Sequence, residues 1–450
     1  ISPSYLNYGY FMELAVDHEK KNENNVVNTW YLDNKEGAFS CKPFKGLDTC
    51  DTLIIGGGIA GLSLKYMLDQ NNISSILVEQ NTIASGASGM NGGFCSSGWS
   101  LDQKIIEKKL GLKKSKEFFQ ISLNGLNWLK SICKECSPSI SQFREGILSV
   151  HFSEKIKYLE TLSNKFNENY GVNNIFLKKE DLARNINSPL YSSGILDNEA
   201  FQFNPLNIML FIAEKLIINN NSIFEYSKAQ KIKKKKSEFY IEISNGGIIK
   251  ARRVVLATGG YLSEISGVNI NKYLFKFITS IAVTEPVCSK TFKNNISTNY
   301  AIHDNRRAGN YFRFLPDGRL LWGRDIKSVG KLSRNKIIKG TKKDLKKIFP
   351  SEEKNINNIR IDYAWSGQLG YFSNLMPLVL KNSDNLFYIT GFGGHGMNTA
   401  PAAALLIKDA ILGEDRNLEI FSDFRPKWNG GLLGKFSAEL YLQWLKFCDF

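Results

Sequence analysis

Short apolar runs alternate with glycine-rich turns along this 450-residue chain, and the clearest example is the stretch 51–79. The apolar run 53–55 leads into the glycine motif GGGIAG at 56–61. A helical pattern follows, then a second apolar run at 76–78, and the stretch ends in Glu79. This order predicts a strand, a tight turn, a helix, a second strand and an acid, which is about the size of one βαβ dinucleotide-binding unit.

Each part of this unit has a physical role. Gly56 permits the tight turn, Gly58 lets a pyrophosphate approach the backbone, and Gly61 lets the helix lie close to the strand. The free N–H groups at the start of the helix attract phosphate. Glu79 can accept hydrogen bonds from a ribose hydroxyl pair. A glycine motif alone is weak evidence, but a surface turn would account neither for Glu79 nor for the flanking strands.

Two later segments also place small residues after a buried strand. VVLATGG at 254–260 predicts a parallel strand that ends at Thr258 and Gly259. Ligands of doubly wound sheets lie beyond the C-terminal ends of strands, so these two residues are predicted to face the same nucleotide. The strand 386–389 runs into GFGGHGMN at 391–398, which offers another helix N-terminus to an anion or a ring edge.

The formal net charge of +15 is large enough to suggest a nucleic acid or a membrane surface as a partner. The Lys residues are spread along the chain among many Asn and Ile, as A/T-rich codons produce, so the charge is expected to signal neither a nucleic acid nor a membrane surface. The densest cluster, Lys231–Lys236, lies between two strand-like runs and is predicted to be a solvated hairpin tip. No apolar run approaches the length of about 18 residues that a membrane span needs, so none is expected.

The seven cysteines are mostly far apart, and only Cys133 and Cys136 form a CxxC pair. This pair lies on a helical stretch with no second CxxC and no nearby His, which argues against zinc. We expect reduced thiols, no metal site and a soluble, cytoplasmic protein. The chain begins at Ile1 rather than Met, so a removed presequence stays open.

With these motifs the chain resembles the FAD-dependent amino acid and amine oxidases of the D-amino acid oxidase superfamily, over about residues 45–430. It is most similar to the branch that contains γ-glutamylputrescine oxidase, with glycine and sarcosine oxidases as cousins. The motifs that carry the resemblance are GGGIAGLS at 56–63, the acid at 79, GASGMNGGF at 86–94, VVLATGG at 254–260, TEP at 284–286, DGRLLWG at 317–323, WSG at 365–367 and GFGGHGMN at 391–398.

The fold class expected is α/β (α+β overall), with a discontinuous Rossmann-like FAD-binding domain and a β-rich substrate domain. The FAD-binding domain is predicted to comprise 50–100, 205–275 and 380–415, and the substrate domain 101–204 and 276–379. Residues 1–49 are expected to form an arm on the folded body, with Trp30 and Tyr31 packed down. Residues 416–450 are expected to form a C-terminal helical segment.

The resemblance implies FAD as the cofactor, with the 86–93 loop along the pyrophosphate and flavin and the 391–398 loop over the isoalloxazine ring. The cofactor-binding residues expected are Gly56, Gly57, Gly58, Ile59, Ala60, Gly61, Glu79, Gln80, Ser85, Gly86, Ala87, Ser88, Asn91, Gly92, Gly93, Ala229, Thr258, Gly259, Gly391, Gly393, Gly394, His395, Gly396 and Met397.

Four residues are candidates for the substrate site. His395 would contact flavin or substrate, or else only position its loop. Arg313 and Tyr311 flank a PDG turn, and a guanidinium is the natural partner of a substrate carboxylate, although a surface charge fits Arg313 equally well. Trp365 would line the pocket or fill the core.

The expected reaction is hydride transfer from a carbon bearing an amine to flavin N5, followed by reoxidation by O2 with release of hydrogen peroxide. The substrate would be a small amine or amino acid. Two alternatives stay open: a dehydrogenase that uses another electron acceptor, and an inactive flavin-binding interaction module. Met90 stands where the family usually has Arg, and Asn374 where an acid is usual, which keeps the inactive module in consideration.

Overall fold

Two β-sheets form the framework of the described part of the protein in this computed structural model. The structure describes residues 28–37, 39–152, 155–219, 222–266, 268, 270–286, 291–306, 309–330, 332–382 and 384–448. The strands are β1 (Leu47–Ile55), β2 (Ser75–Val78), β3 (Phe94–Cys95), β4 (Arg144–His151), β5 (Asn174–Lys178), β6 (Ser193–Gln202), β7 (Ile223–Phe224), β8 (Ala229–Lys235), β9 (Glu238–Ile243), β10 (Ile248–Leu256), β11 (Phe275–Pro286), β12 (Ala301–Asp304), β13 (Tyr311–Phe314), β14 (Arg319–Lys327), β15 (Ile361–Tyr371), β16 (Leu378–Lys381) and β17 (Leu386–Thr390).

Helices connect and cover these strands. They are α1 (Trp30–Asp33), α2 (Ile59–Gln70), α3 (Ala87–Met90), α4 (Gln103–Leu110), α5 (Leu112–Glu135), α6 (Pro138–Ser141), α7 (Ile156–Tyr170), α8 (Lys179–Ala183), α9 (Pro205–Asn219), α10 (Arg334–Ile348), α11 (Glu353–Asn358), α12 (Gly396–Ile411) and α13 (Gly431–Cys448). Short 3-10 helices span Gly259–Glu264, Pro350–Glu352 and Arg416–Phe424. In the segment 416–448, the described residues form the last 3-10 helix and α13.

The first sheet is parallel at its centre, in the order β17-β10-β1-β2-β7. Leu53 of β1 pairs with Val254 of β10 on one side and with Ile76 of β2 on the other. β16 adds to β17, and β9 to β10, in the antiparallel sense. Because the central strands run in one direction, their C-terminal ends meet at one edge. The predicted strand, turn, helix and strand end at this edge. The parallel order of the central strands confirms the Rossmann-like α/β class.

The second sheet has the order β15-β11-β14-β13-β12-β4-β6-β3, with β5 against β6. Its neighbours are antiparallel except for β12 and β4. Phe312 and Trp322 stack beneath it with ring centroids 4.4 Å apart. Its strands come from 94–202 and 275–371, whereas those of the parallel sheet come from 47–78, 223–256 and 378–390. The precise division into domains stays a prediction.

Helix α5 lies wholly within the segment 101–204. It was expected in the substrate domain, but it packs on α12, which follows the last parallel strand. The contact is close because Gly125 has no side chain: a Cβ there would lie 2.1 Å from the carbonyl oxygen of Asn398. Phe118, Leu126 and Leu129 join the same apolar core. The hydrophobic face of α5 therefore places it with the nucleotide-binding layer.

The N-terminal arm packs down as expected over its described residues. Trp30 is 2% exposed and Tyr31 is fully buried. The Trp30 indole N–H donates to Asp317 at 2.8 Å. Farther along, the backbone N–H of Cys41 donates to the buried carboxylate of Glu225 at 2.9 Å. The arm is thereby bonded to both halves of the molecule.

The smaller predictions can also be compared with the structure. The Lys-rich run belongs to the hairpin of β8 and β9, but Lys231–Lys235 lie in strand β8 and only Lys236, at φ +56°, lies in the turn, so the run is not confined to the predicted tip. Cys133 and Cys136 are buried free thiols, and burial raises the pKa of Cys136 to about 11. In the described ranges, no helix is both long and apolar enough to cross a bilayer, and no cluster of three or more His, Cys, Asp or Glu could hold a metal ion.

The contact between α5 and α12 gives a stability prediction. We expect Gly125→Val to lower the free energy of unfolding by about 3 kcal/mol or more, because the added carbons meet backbone atoms that cannot rotate away. Thermal unfolding followed by circular dichroism measures the loss. The control is Asn127→Val, which places the same side chain at an exposed position of the same helix. Equal stability of the two variants would contradict this packing.

Candidate active site

The first glycine turn lies where β1 passes into α2. Gly56 has φ +117°, and a Cβ there would lie 2.5 Å from the carbonyl oxygen of Ala257 on the neighbouring strand. A Cβ at Gly61 would lie 1.9 Å from the carbonyl oxygen of Gly56. Only glycine fits both positions without backbone movement. The turn therefore brings the start of α2 directly onto the end of the parallel sheet.

The N-terminus of α2 is available to an anion. Gly58 precedes the helix and supplies no capping side chain. The backbone N–H of Ile59 donates to the hydroxyl of Ser88 at 2.9 Å, which joins the helix start to the 85–93 loop. Unsatisfied N–H groups and the helix dipole favour negative charge at such a position. This geometry suits a pyrophosphate.

Glu79 ends β2 beside this turn. Its carboxylate accepts hydrogen bonds from the backbone N–H groups of Gly57 at 2.7 Å and Asn81 at 2.9 Å. Burial raises the pKa of Glu79, and these N–H groups oppose the rise. The acid is thus held in one orientation at the cavity wall, as recognition of a ribose hydroxyl pair requires.

The 85–93 loop is held by its own side chains. The Asn91 amide donates to the carbonyl oxygen of Ala87 at 3.0 Å, and its oxygen accepts from the N–H of Gly93 at 2.8 Å. The indole N–H of Trp365 donates to the carbonyl oxygen of Met90 at 2.9 Å. Trp365 lines the cavity, and at 3% exposure it is also part of the apolar core. Its hydrogen bond to Met90 in addition fixes the loop.

Arg313 lies behind this loop rather than at the cavity. It is 3% exposed, and its guanidinium donates to the carbonyl oxygens of Gly92 at 2.7 Å and Phe203 at 3.0 Å, and to the hydroxyl of Tyr31 at 3.2 Å. With its donors directed at protein acceptors, Arg313 is not positioned to bind a substrate carboxylate. The expectation that it does so is corrected to a role in fixing the loop.

The second glycine loop joins β17 to α12. Gly391, Gly393 and Gly394 have φ values of +76°, +62° and +81°. A Cβ at Gly393 would lie 2.6 Å from the hydroxyl of Ser100, which in turn donates to the Gly393 carbonyl oxygen at 2.8 Å. These left-handed residues direct the N-terminus of α12 to the same sheet edge as α2.

His395 precedes α12 and lines the cavity. Its Nε2 lies 3.2 Å from the carbonyl oxygen of Ser97. Burial lowers the pKa of His395 below its ordinary 6.5, so the imidazole is neutral at neutral pH. The ring therefore both positions the loop and reaches the candidate site.

All these parts surround one cavity of about 600 Å³. It is lined by these predicted residues: Gly56, Gly58, Ile59, Ala60, Glu79, Gln80, Ser85, Gly86, Ala87, Ser88, Asn91, Gly92, Ala229, Thr258, Gly259, Tyr311, Trp365, Gly391, Gly393, Gly394, His395, Gly396 and Met397. Gly57, Gly61, Gly93 and Arg313 do not line it. They support it from behind, since Gly57 holds Glu79 and Gly93 lets the loop approach Phe203.

One buried hydroxyl that lacks a hydrogen-bond partner suggests that a nucleotide binds in this cavity. The Thr258 hydroxyl is buried with no hydrogen-bond partner in the described structure, yet Thr258 lines the cavity. A buried hydroxyl without a partner is costly, and a ligand group would satisfy it. Together with the two open helix N-termini, Thr258 makes the cavity suited to FAD.

The second sheet adds cavity residues that the sequence did not identify. His303, Asp304, Arg306, Asn310 and Tyr371 all line it. Asp304 accepts from the Arg306 guanidinium at 3.0 Å and from the Asn310 N–H at 3.1 Å. The scarcity of His in the chain was a signal for His303, but nothing local marked Asp304 or Arg306. The strand order of the second sheet places these residues beside the loops 85–93 and 391–398, and no local sequence pattern reveals that order.

The position of Arg313 can be tested against the substrate-binding role. We expect Arg313→Met to lower thermal stability and flavin content, because the carbonyl oxygens of Gly92 and Phe203 lose a buried charged donor, at a cost of about 3 kcal/mol. Flavin absorbance per protein and the melting temperature report both changes. The control is Arg319→Met, which removes a guanidinium from the same hairpin. A rise in KM with flavin content unchanged would restore the carboxylate role.

Comparison with known proteins agrees with this geometry. A family model described as FAD dependent oxidoreductase matches residues 51–410. The chain is 26% identical to Probable oxidoreductase OrdL of Haemophilus influenzae, covering 94% of this chain and 97% of the relative. It is also 26% identical to Gamma-glutamylputrescine oxidoreductase of Escherichia coli, covering 85% and 88%.

The fold is shared with solved structures. That of L-proline dehydrogenase from P. horikoshii aligns with a TM-score of 0.68 and 16% identity, covering 83% of this chain and 96% of that one. The family model spans most of the chain, and the cavity offers the residues that its cofactor FAD requires. The chain therefore belongs to the DAO family of FAD-dependent oxidoreductases.

Proposed function

We propose that this chain oxidises a C–N bond of a small amine or amino acid, and that O2 is the electron acceptor, with release of hydrogen peroxide. FAD, when bound, supplies the hydride acceptor. The observation that carries the proposal is the extent of the cavity. It continues from the glycine loops of the parallel sheet to the second sheet, where Tyr311, His303 and Trp365 line it.

Among the cavity residues of the second sheet, His303 and Tyr311 carry rings that are uncharged at neutral pH, and the charged Asp304 is paired with Arg306. Burial lowers the pKa of His303 and of His395, and burial raises the pKa of Tyr311. These uncharged rings do not stabilise an ammonium group. They favour the neutral amine, whose lone pair is needed when the adjacent C–H bond is broken.

The remaining contribution of the chain is orientation. Trp365 is fixed by its hydrogen bond to Met90, and His395 is held at Ser97, so the walls around the substrate are rigid. The N-terminus of α12 has no capping side chain, and it would favour negative charge on a flavin bound in the cavity. The name of the Escherichia coli relative, Gamma-glutamylputrescine oxidoreductase, supports an amine as the substrate.

An anaerobic titration tests the proposal. We expect one member of an amine and amino acid panel to bleach the flavin absorbance at about 450 nm. We expect air to restore this absorbance, with release of one equivalent of peroxide. Bleaching that is reversed only by an artificial acceptor would favour the dehydrogenase alternative. A flavin that no compound bleaches would favour the inactive flavin-binding module.

The pH dependence gives a second prediction. We expect the rate of flavin reduction at subsaturating substrate to rise with pH in step with the ionisation of the substrate amine. Because burial lowers the pKa values of His303 and His395, we expect the substrate amine, and not either imidazole, to determine the pH dependence above neutrality. Stopped-flow reduction of the wild type and of His395→Gln measures this. A limb between about pH 6.5 and 8 that disappears in His395→Gln would assign His395 as a titrating base.

A further inference from the structure

The last helix, α13, exposes a broad apolar face. The side chains of this face are each between 51% and 82% exposed: Leu432, Leu433, Phe436, Leu440, Tyr441, Trp444 and Phe447. At about 100° per residue they fall on one contiguous half of the helix, whereas Leu442 and Leu445 on the other half are buried. Soluble monomers rarely expose a patch of this kind unless something binds it.

The charge beside this face is basic. Three exposed basic residues lie in α13 or just before it, Arg425, Lys427 and Lys435, and Glu439 is the acid of α13. The Glu439 carboxylate accepts hydrogen bonds from the N–H and the hydroxyl of Ser328, at 2.8 Å and 3.0 Å, so it is directed toward the protein. An apolar face bordered by positive charge is complementary to an anionic lipid surface.

The charge beside the patch favours a lipid surface over a second copy of the chain. In two facing copies, the basic residues beside one patch would meet the same residues of the other copy, whereas an anionic bilayer offers them opposite charge. A bilayer interface also favours the indole rings of Trp444 and of the neighbouring Trp428, which is 68% exposed.

We propose that α13 binds the surface of an anionic lipid bilayer, with its apolar face at the acyl boundary and its basic neighbours at the headgroups. The helix lies beside the cavity, because Ser328 and Val329, which bind Glu439, directly follow the end of β14, where Asp325 and Ile326 line the cavity. Binding at the surface is compatible with the finding that no described helix could span a membrane. The proposal is independent of the proposed reaction.

Vesicle sedimentation of the full-length, FAD-loaded protein tests this inference. We expect at least about tenfold stronger partitioning to phosphatidylcholine vesicles that contain phosphatidylglycerol than to pure phosphatidylcholine vesicles, and weaker binding at high salt. We expect Phe436→Glu/Leu440→Glu to reduce the partitioning at least about tenfold. The matched control is Ile218→Glu, at an apolar position that is 83% exposed on α9. Flavin content and melting temperature verify that each variant is folded.

Several outcomes would overturn the proposal. Wild-type protein that stays in the supernatant with both vesicles, or a double variant that binds as well as the control, would exclude α13 as the lipid contact. Equal binding to neutral and anionic vesicles would exclude the anionic surface. Sedimentation velocity without lipid measures the oligomeric state. A wild-type dimer that becomes a monomer in the double variant would assign the face to a second copy of the chain.

Discussion

The fold depends on the close approach of backbone segments at the end of the parallel sheet. Gly56, Gly61 and Ala257 lie so near one another that a single added carbon at either glycine would meet a carbonyl oxygen. This contact sets the start of α2 against the strand ends. The second glycine loop directs α12 to the same edge, so two helix dipoles converge where a dianionic pyrophosphate and an electron-accepting ring can both be stabilised.

Much of this edge could be predicted from the sequence because its signals are local. A few neighbouring residues are enough to predict the conformation of the turn at Gly56, of Glu79 and of the loop around His395. Left-handed glycines and short apolar runs need no distant partner to be recognised. The structure accordingly places these residues around one cavity, and the family model spans the same motifs.

The parts that could not be predicted depend on distant partners. The acceptors of Arg313 come from Tyr31, Gly92 and Phe203, which are far apart in the chain, so no local pattern distinguishes a buried clamp from a surface charge. His303 and Arg306 reach the cavity only through the order of strands in the second sheet. The placement of α5 was equally hidden, because Gly125 looks like a helix defect until α12 is packed against it.

The discontinuity of the parallel sheet also determines when the protein can fold. The central strand β10 pairs on one side with β1, but on its other side with β17, which is translated much later. Until β17 and α12 have been synthesised, the part of β10 that pairs with β17, Val254–Leu256, has no partner on that edge, and Gly125 of α5 has no helix against it. Contacts between segments so distant in the chain form late and slow folding. The sheet edge that carries both glycine loops is therefore completed only after residues 386–411 have been made.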